Sequence, residues 1–174
     1  MAAIEDRPLQ PPPNEVEEDR ALLLHTHRNW RRSQQAEILP KKRQFENKQS
    51  ADTSQHSSQD FFQIDLREAD FRHQDLRNAN FQEAYLPGAN FEGANLRGAN
   101  FQGANLRSVR FRGAQLAWAN FSQADLIWAD FQNADLQGTD FQHATLRGAT
   151  FVRAQIRGGN FFCSDCAWAD FQDT

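Results

Sequence analysis

Cysteine is scarce in this 174-residue chain, and long apolar runs and any excess of basic residues are missing from it. Its only cysteines, Cys163 and Cys166, are too few and too close together to hold a domain with disulfides. No stretch approaches the ~18 apolar residues that a membrane-spanning helix needs. Residues 1–10 contain Glu5 and Asp6 and no apolar run, unlike a secretory signal. These absences predict a cytoplasmic protein with no membrane span.

The charge balance is mildly acidic, with 19 Lys and Arg against 23 Asp and Glu and a formal net charge of −4. A protein that binds nucleic acid or an anionic membrane presents a basic face to the phosphates. We therefore expect no direct nucleic-acid binding.

The composition changes near residue 58. Residues 1–58 contain every lysine, five of the six prolines and no glycine. Residues 59–174 contain all nine glycines, fourteen of the fifteen phenylalanines and no lysine. This change predicts an N-terminal arm over residues 1–58 and one repetitive domain over residues 59–174.

From Phe61 onward, every fifth residue is large and apolar, which makes 23 such centres without an insertion. Phe alternates with Leu, until Ile156 and Cys166 take the last two Leu places. Ala stands two residues before the centre in sixteen repeats, and Asp or Asn stands one before it in seventeen. Gly stands two after it in eight repeats.

A period of five fits neither a helix nor a strand. On an α-helix, successive centres would step ~140° around the axis and leave no apolar stripe. On a strand, an odd period sends alternate centres to opposite faces. A short extended piece followed by a corner every five residues keeps all centres inside. Gly suits a positive φ at such a corner, and the Asp or Asn side chain can bond nearby backbone amides.

The repeats resemble the A-(D/N)-(L/F)-x-x motif of the pentapeptide-repeat family over about residues 59–173, as in Ala89-Asn90-Phe91-Glu92-Gly93 and Ala134-Asp135-Leu136-Gln137-Gly138. The resemblance implies an all-β fold, a right-handed quadrilateral β-helix with twenty residues per coil and about six coils. On that basis the strict alternation places the Phe centres in two opposed columns and the Leu centres on the two remaining faces. Stacked rings in such columns would be core.

Function in such a rod must lie on outward positions, and three tryptophans stand out there. Trp118, Trp128 and Trp168 each fall two residues after a Leu-type centre, where Gly is common, and Ile127 adjoins Trp128. Exposed aromatic residues favour a contact surface for another protein. The alternative is that the rings lie flat over neighbouring corners or under the N-terminal arm.

No arrangement of residues predicts catalysis, a cofactor site or a metal site. In the repeat register, Cys166 is a centre and should point inward, while Cys163 should point outward, so the C-x-x-C spacing does not make a ligand pair. The five histidines do not converge, and no Ser-His-Asp or phosphate-loop pattern is present. We therefore expect a protein that is not an enzyme.

The two ends add further candidates for protein contact. The final coil would leave Phe162 near an open edge, which suggests pairing with a second copy, a homodimer through the C-terminal coil. In the arm, a capping pattern after Pro11-Pro12-Pro13 predicts a helix over about residues 14–37 that carries Leu23 and Trp30, followed by a polar linker. This helix could cap the first coil or dock on another protein, and a disordered arm is the third possibility.

The sequence thus favours a non-catalytic scaffold or adaptor whose protein partner it does not identify. The alternative comes from the resemblance, because some members of the family imitate DNA and inhibit or protect DNA gyrase. The modest charge and the six arginines that follow Leu-type centres weaken that alternative.

Overall fold

The computed structural model describes residues 59–174, which form one rod of stacked coils. Parallel bridges join residues twenty apart, from Asp60↔Asn80 to Thr150↔Asp170. Each coil therefore takes twenty residues, as expected, in four sides of five residues each. Within residues 59–174 these bridges are isolated, one per side per coil, and neither a continuous strand nor a helix forms. The right-handed sense of the coil stays a prediction from the resemblance.

The sides are named here by their first centres. Side 1 begins with Phe61, side 2 with Leu66, side 3 with Phe71 and side 4 with Leu76, and each side repeats every twenty residues. The coils are residues 59–78, 79–98, 99–118, 119–138, 139–158 and, incompletely, 159–174.

The predicted phenylalanine columns are present on sides 1 and 3. Along each column the ring centroids are 4.5 to 5.2 Å apart and the rings are nearly parallel. The two columns also meet across the interior in edge-to-face contacts at 5.5 to 6.0 Å. Both arrangements are favourable for aromatic quadrupoles, so the centre of the rod is one continuous aromatic stack. The Leu centres and the Ala residues two before the centres complete the core.

Every corner is a tight turn with a left-handed residue. The carbonyl of each centre accepts a hydrogen bond from the amide three residues on, as from Ala104 to Phe101 at 3.0 Å. The residue two after the centre has a positive φ at all 23 corners, of which only eight are glycine. Positive φ is costly for residues with a Cβ, so the stacked coils must hold each corner in place.

The Asp and Asn residues before the centres stabilise the turns as predicted. In all seventeen cases the side-chain Oδ1 accepts a hydrogen bond from the backbone amide two residues on, as from Gln102 to Asn100 at 3.0 Å. Tyr85 is one of the exceptions, and Pro87, two residues later, has no N–H to donate. This local hydrogen bond therefore accounts for the recurrence of Asp or Asn directly before the centre of the repeat.

The N-terminal arm, its predicted helix over about residues 14–37 and the polar linker lie outside the described residues. Within residues 59–174, no helix has the length and apolar character that a membrane crossing requires.

Candidate protein-binding surface

Two of the three outward tryptophans lie over glycine corners of the next coil. A Cβ added to Gly138 would come within 2.5 Å of the Trp118 ring. A Cβ added to Gly148 would likewise overlap the Trp128 ring, whose Cη2 would be only 2.8 Å away. The rings thus occupy the space that a side chain would need, which is the flat arrangement given above as one of the two alternatives.

Trp118 nevertheless remains open to solvent. Its relative exposure is 68%, the highest among the large hydrophobic residues of the described part of the chain. Its backbone is held firmly, because its amide donates to Gln137 of the next coil at 2.9 Å. Trp118 is therefore an exposed apolar ring on a rigid backbone.

Trp128 and Trp168 are half-buried and lie at corners of side 2, two coils apart. The guanidinium carbon of Arg147 lies 4.7 Å from the centroid of the Trp168 ring, a cation–π distance. The same guanidinium lies 3.9 Å from Asp165 through its Nε. The Trp168 ring is thus in contact with a charged side chain of its own rod, and a smaller fraction of it is exposed than of Trp118.

Ile127, the candidate contact residue beside Trp128, is buried rather than part of the exposed surface. Only 6% of it is exposed, although it points away from the core. Arg107, one coil earlier in the same column, is 9% exposed, and Pro87 before it is also buried. Three consecutive residues of this side 2 column are therefore buried, and Ile127 is one of them.

Phe162 is exposed, at 66%. Its ring meets that of His143 edge-on at a centroid distance of 6.1 Å. Phe62 occupies the same position in the first coil and is 41% exposed, a residue that the sequence reasoning missed. Its apolar character at an outward register position was the signal that could have identified it. The remaining predicted contact residues, Leu23 and Trp30, lie outside the described residues.

Seven of the ten arginines in residues 59–174 pair with aspartates. Arg72 and Arg77 bond to the aspartates two residues before them. Further along the rod, Arg107 reaches Asp125 of the next coil at 3.1 Å. The hydrogen bonds from Arg72 to Asp70 lower the pKa of that carboxyl to about 2. Part of the surface charge is thus neutralised locally.

The two cysteines lie as the repeat register predicted. Cys163 is exposed, while Cys166 packs against the core and its Sγ is 3.3 Å from the Ser164 hydroxyl. In the described part of the chain, no three His, Cys, Asp or Glu side chains come together in a way that could hold a metal ion.

Sequence comparisons agree with the repeat register. A family profile described as pentapeptide repeats matches eight copies over residues 64–103. A second, described as a pentapeptide repeat region, matches residues 90–161, so the two matches together span more than half of the chain. This chain belongs to the pentapeptide-repeat family. No curated protein sequence matches it.

Solved structures of the family are similar to this rod. A pentapeptide-repeat protein of the Arabidopsis thaliana thylakoid lumen is 36% identical with a TM-score of 0.54, over 55% of this chain and 66% of its own. HetL from Nostoc sp. strain PCC 7120, involved in heterocyst differentiation regulation, is 28% identical with a TM-score of 0.51, over 66% of this chain and 62% of its own. Rfr23 from Cyanothece 51142 shares the fold, at 20% identity and a TM-score of 0.50, over 61% of this chain and 82% of its own. The matched part of this chain thus spans just under two thirds of the length of the Arabidopsis thaliana protein and of HetL.

Proposed function

We propose that this pentapeptide-repeat protein is a non-catalytic scaffold, a right-handed rod that binds another protein through its side. The observation that carries the proposal is the exposure of Trp118, 68% of which is open to solvent on a rigid corner. Tryptophans of this kind dominate the binding energy of protein interfaces when a partner covers them.

The geometry of Trp118 favours tight binding of a partner. Its ring already lies over Gly138, and its φ of 63° is fixed by the coil, so little conformational freedom is lost when a partner covers it. Ala117 beside it is fully buried and adds no side-chain obstruction. The partner would therefore meet a flat ring on a flat side.

The test is affinity purification of the tagged full chain from its native cells, comparing Trp118→Ala with Gln123→Ala. Gln123 is the matched control, because it is an exposed corner with a φ of 62° and its amide is bonded across the coils at 2.8 Å. We expect a partner whose affinity falls about 30-fold in Trp118→Ala, the effect of a ~2 kcal/mol hot spot, and is unchanged in the control. Identical recovery from both variants would contradict the proposal.

A homodimer through the last coil is a further part of this proposal. It is supported by the partial exposure of the centres there, Phe161 and Phe171, and by the 66% exposure of Phe162. Light scattering should show a dimer, and Phe162→Ser should reduce the dimer fraction. A protein that stays monomeric at high concentration would contradict the proposed homodimer. A cytoplasmic location also remains a proposal, and fractionation of the native cells tests it.

The alternative, a DNA-mimic inhibitor or protector of gyrase, requires a surface that imitates the phosphates of DNA. Within residues 59–174, pairs such as Arg112 with Asp130 at 2.7 Å interrupt the negative charge of the rod. We therefore propose it second. Inhibition of gyrase supercoiling by the purified chain would reverse this order.

A further inference from the structure

One outward column of side 2 alternates basic and apolar residues along the rod. It consists of the residues that directly follow the side 2 centres, namely Arg67, Pro87, Arg107, Ile127, Arg147 and Ala167. Stacked strands are about 4.8 Å apart, so residues of one kind recur roughly every 9.6 Å. On side 4 the same position reads Arg77, Arg97, Ala117, Gln137 and Arg157, without alternation.

The middle of this column, from Pro87 to Ile127, is buried, whereas its Arg67 and Arg147 are half-buried and its Ala167 is exposed. Ile127 and Arg107 are 6% and 9% exposed, and Pro87 is buried as well. Glu92 and Arg112, which hold the same outward position on side 3, are exposed, and on side 4 only the small Ala117 is buried at this position. Large side chains that point away from the core are shielded only where something lies over them. The part of the column from Pro87 to Ile127 therefore has the character of a covered interface.

The long side chains of the column are held against the rod. Arg107 Nη1 donates to Asp125 at 3.1 Å, and the Arg147 guanidinium lies over the Trp168 ring. The Arg67 guanidinium lies 5.3 Å from the centroid of the Tyr85 ring. Flattened arginines and the short apolar residues between them leave a surface on which an elongated element can rest.

The predicted arm helix has the matching spacing. On a helix, residues seven apart lie on one face about 10.5 Å apart, close to the rise of two coils. Val16, Leu23 and Trp30 form such a series. Asp19, four residues before Leu23, lies on the same helical face and can interact with an arginine between the apolar contacts.

We propose that residues 14–37 of this chain lie along the side 2 column as an amphipathic helix antiparallel to the rise of the coils. Leu23 then packs on Ile127, Trp30 packs near Pro87, and Asp19 faces Arg147. The antiparallel direction follows from connectivity, because the arm enters the rod at its first coil and the later part of the helix should lie near that end. The proposal does not depend on the role of Trp118.

Disulfide trapping in the full chain tests this placement, in a Cys163→Ser background that removes the exposed thiol. Leu23→Cys combined with Ile127→Cys should form an intramolecular disulfide at least tenfold faster than Ala21→Cys combined with Ile127→Cys. Ala21 is the matched control, because it lies about 200° around the helix from Leu23. Circular dichroism must show that both variants keep the fold of the parent chain.

The outcomes separate the possible occupants. Equal rates for the two pairs, or no disulfide in either, would overturn the proposal. A Leu23→Cys to Ile127→Cys link between two molecules would assign the surface to a second copy and also overturn it. For the direction, Asp19→Cys should link to Arg147→Cys at least tenfold faster than to Arg107→Cys, and the reverse preference would contradict the antiparallel arrangement.

Discussion

The position of Trp128 over Gly148 can be tested by adding one methyl group. In Gly148→Ala the new Cβ would overlap the indole, with even Cη2 at 2.8 Å, so the ring must leave its position. Gly113→Ala is the matched control. Gly113 is also a corner glycine with a similar φ, +60° against +65°, but an added Cβ would meet nothing within 4 Å.

The expected cost has two parts. A left-handed alanine costs roughly 1–2 kcal/mol relative to glycine, and both variants carry this cost. Only Gly148→Ala also displaces a half-buried tryptophan, and about half of the ~2 kcal/mol gained on burying a large apolar side chain is then lost. We therefore expect a loss of about 1–2 kcal/mol in the free energy of unfolding for Gly113→Ala and about 2–3 kcal/mol for Gly148→Ala.

Urea unfolding followed by circular dichroism measures this difference, and tryptophan emission of the folded variants measures the displacement of the ring. Gly148→Ala should shift the emission to longer wavelength, whereas Gly113→Ala should not. Equal losses of stability together with unchanged emission in Gly148→Ala would refute the placement of Trp128.

Two further predictions concern the core and the turns. Phe101 makes ring contacts at 4.8, 4.8, 5.8 and 5.7 Å, whereas Phe171 makes two, at 4.7 and 5.8 Å. At about 1 kcal/mol per contact, Phe101→Leu should destabilise the rod by about 2 kcal/mol more than Phe171→Leu in urea unfolding, and equal losses would contradict the stacked core. Asn100→Ala removes a turn hydrogen bond and should cost about 1 kcal/mol, whereas the exposed Gln115→Ala, which removes no such bond, should stay within about 0.5 kcal/mol by thermal unfolding.

The coil and its core could be predicted from the sequence because they depend on short spacings. A five-residue period places Phe61 and its successors inside, and an even alternation assigns each side one kind of centre. The Asx turns follow from residue type alone, since Oδ1 of Asn100 bonds an amide only two residues away. The edge-to-face contact between the two Phe columns was not predicted, because it depends on the width of the rod.

The state of the outward side chains was harder to predict because it depends on neighbours twenty residues away. Trp118 and Trp128 occupy equivalent corners, yet Trp118 is 68% exposed and Trp128 is half-buried. Ile127 was expected to be open because its register position points outward, and that position alone carries no information about what covers it. The position in the repeat determines whether a side chain points inward or outward, while its exposure also depends on the side chains of the neighbouring coils.

The corner glycines depend on the residue twenty positions earlier, which is the corner residue of the coil before. Fifteen residues with a Cβ adopt the same positive φ, so φ alone does not explain why eight corners are glycine. In six of these eight, a Cβ would contact the side chain of the corner residue one coil earlier, namely Glu68, His73, Asn78, Glu83, Trp118 and Trp128. The two exceptions are Gly113 and Gly158. The corner residue one coil before each of them is itself a glycine, Gly93 or Gly138, so no side chain lies against them. Glycine at a corner therefore provides room for the side chain of the coil before it, and this is what allows an indole to lie flat along the rod.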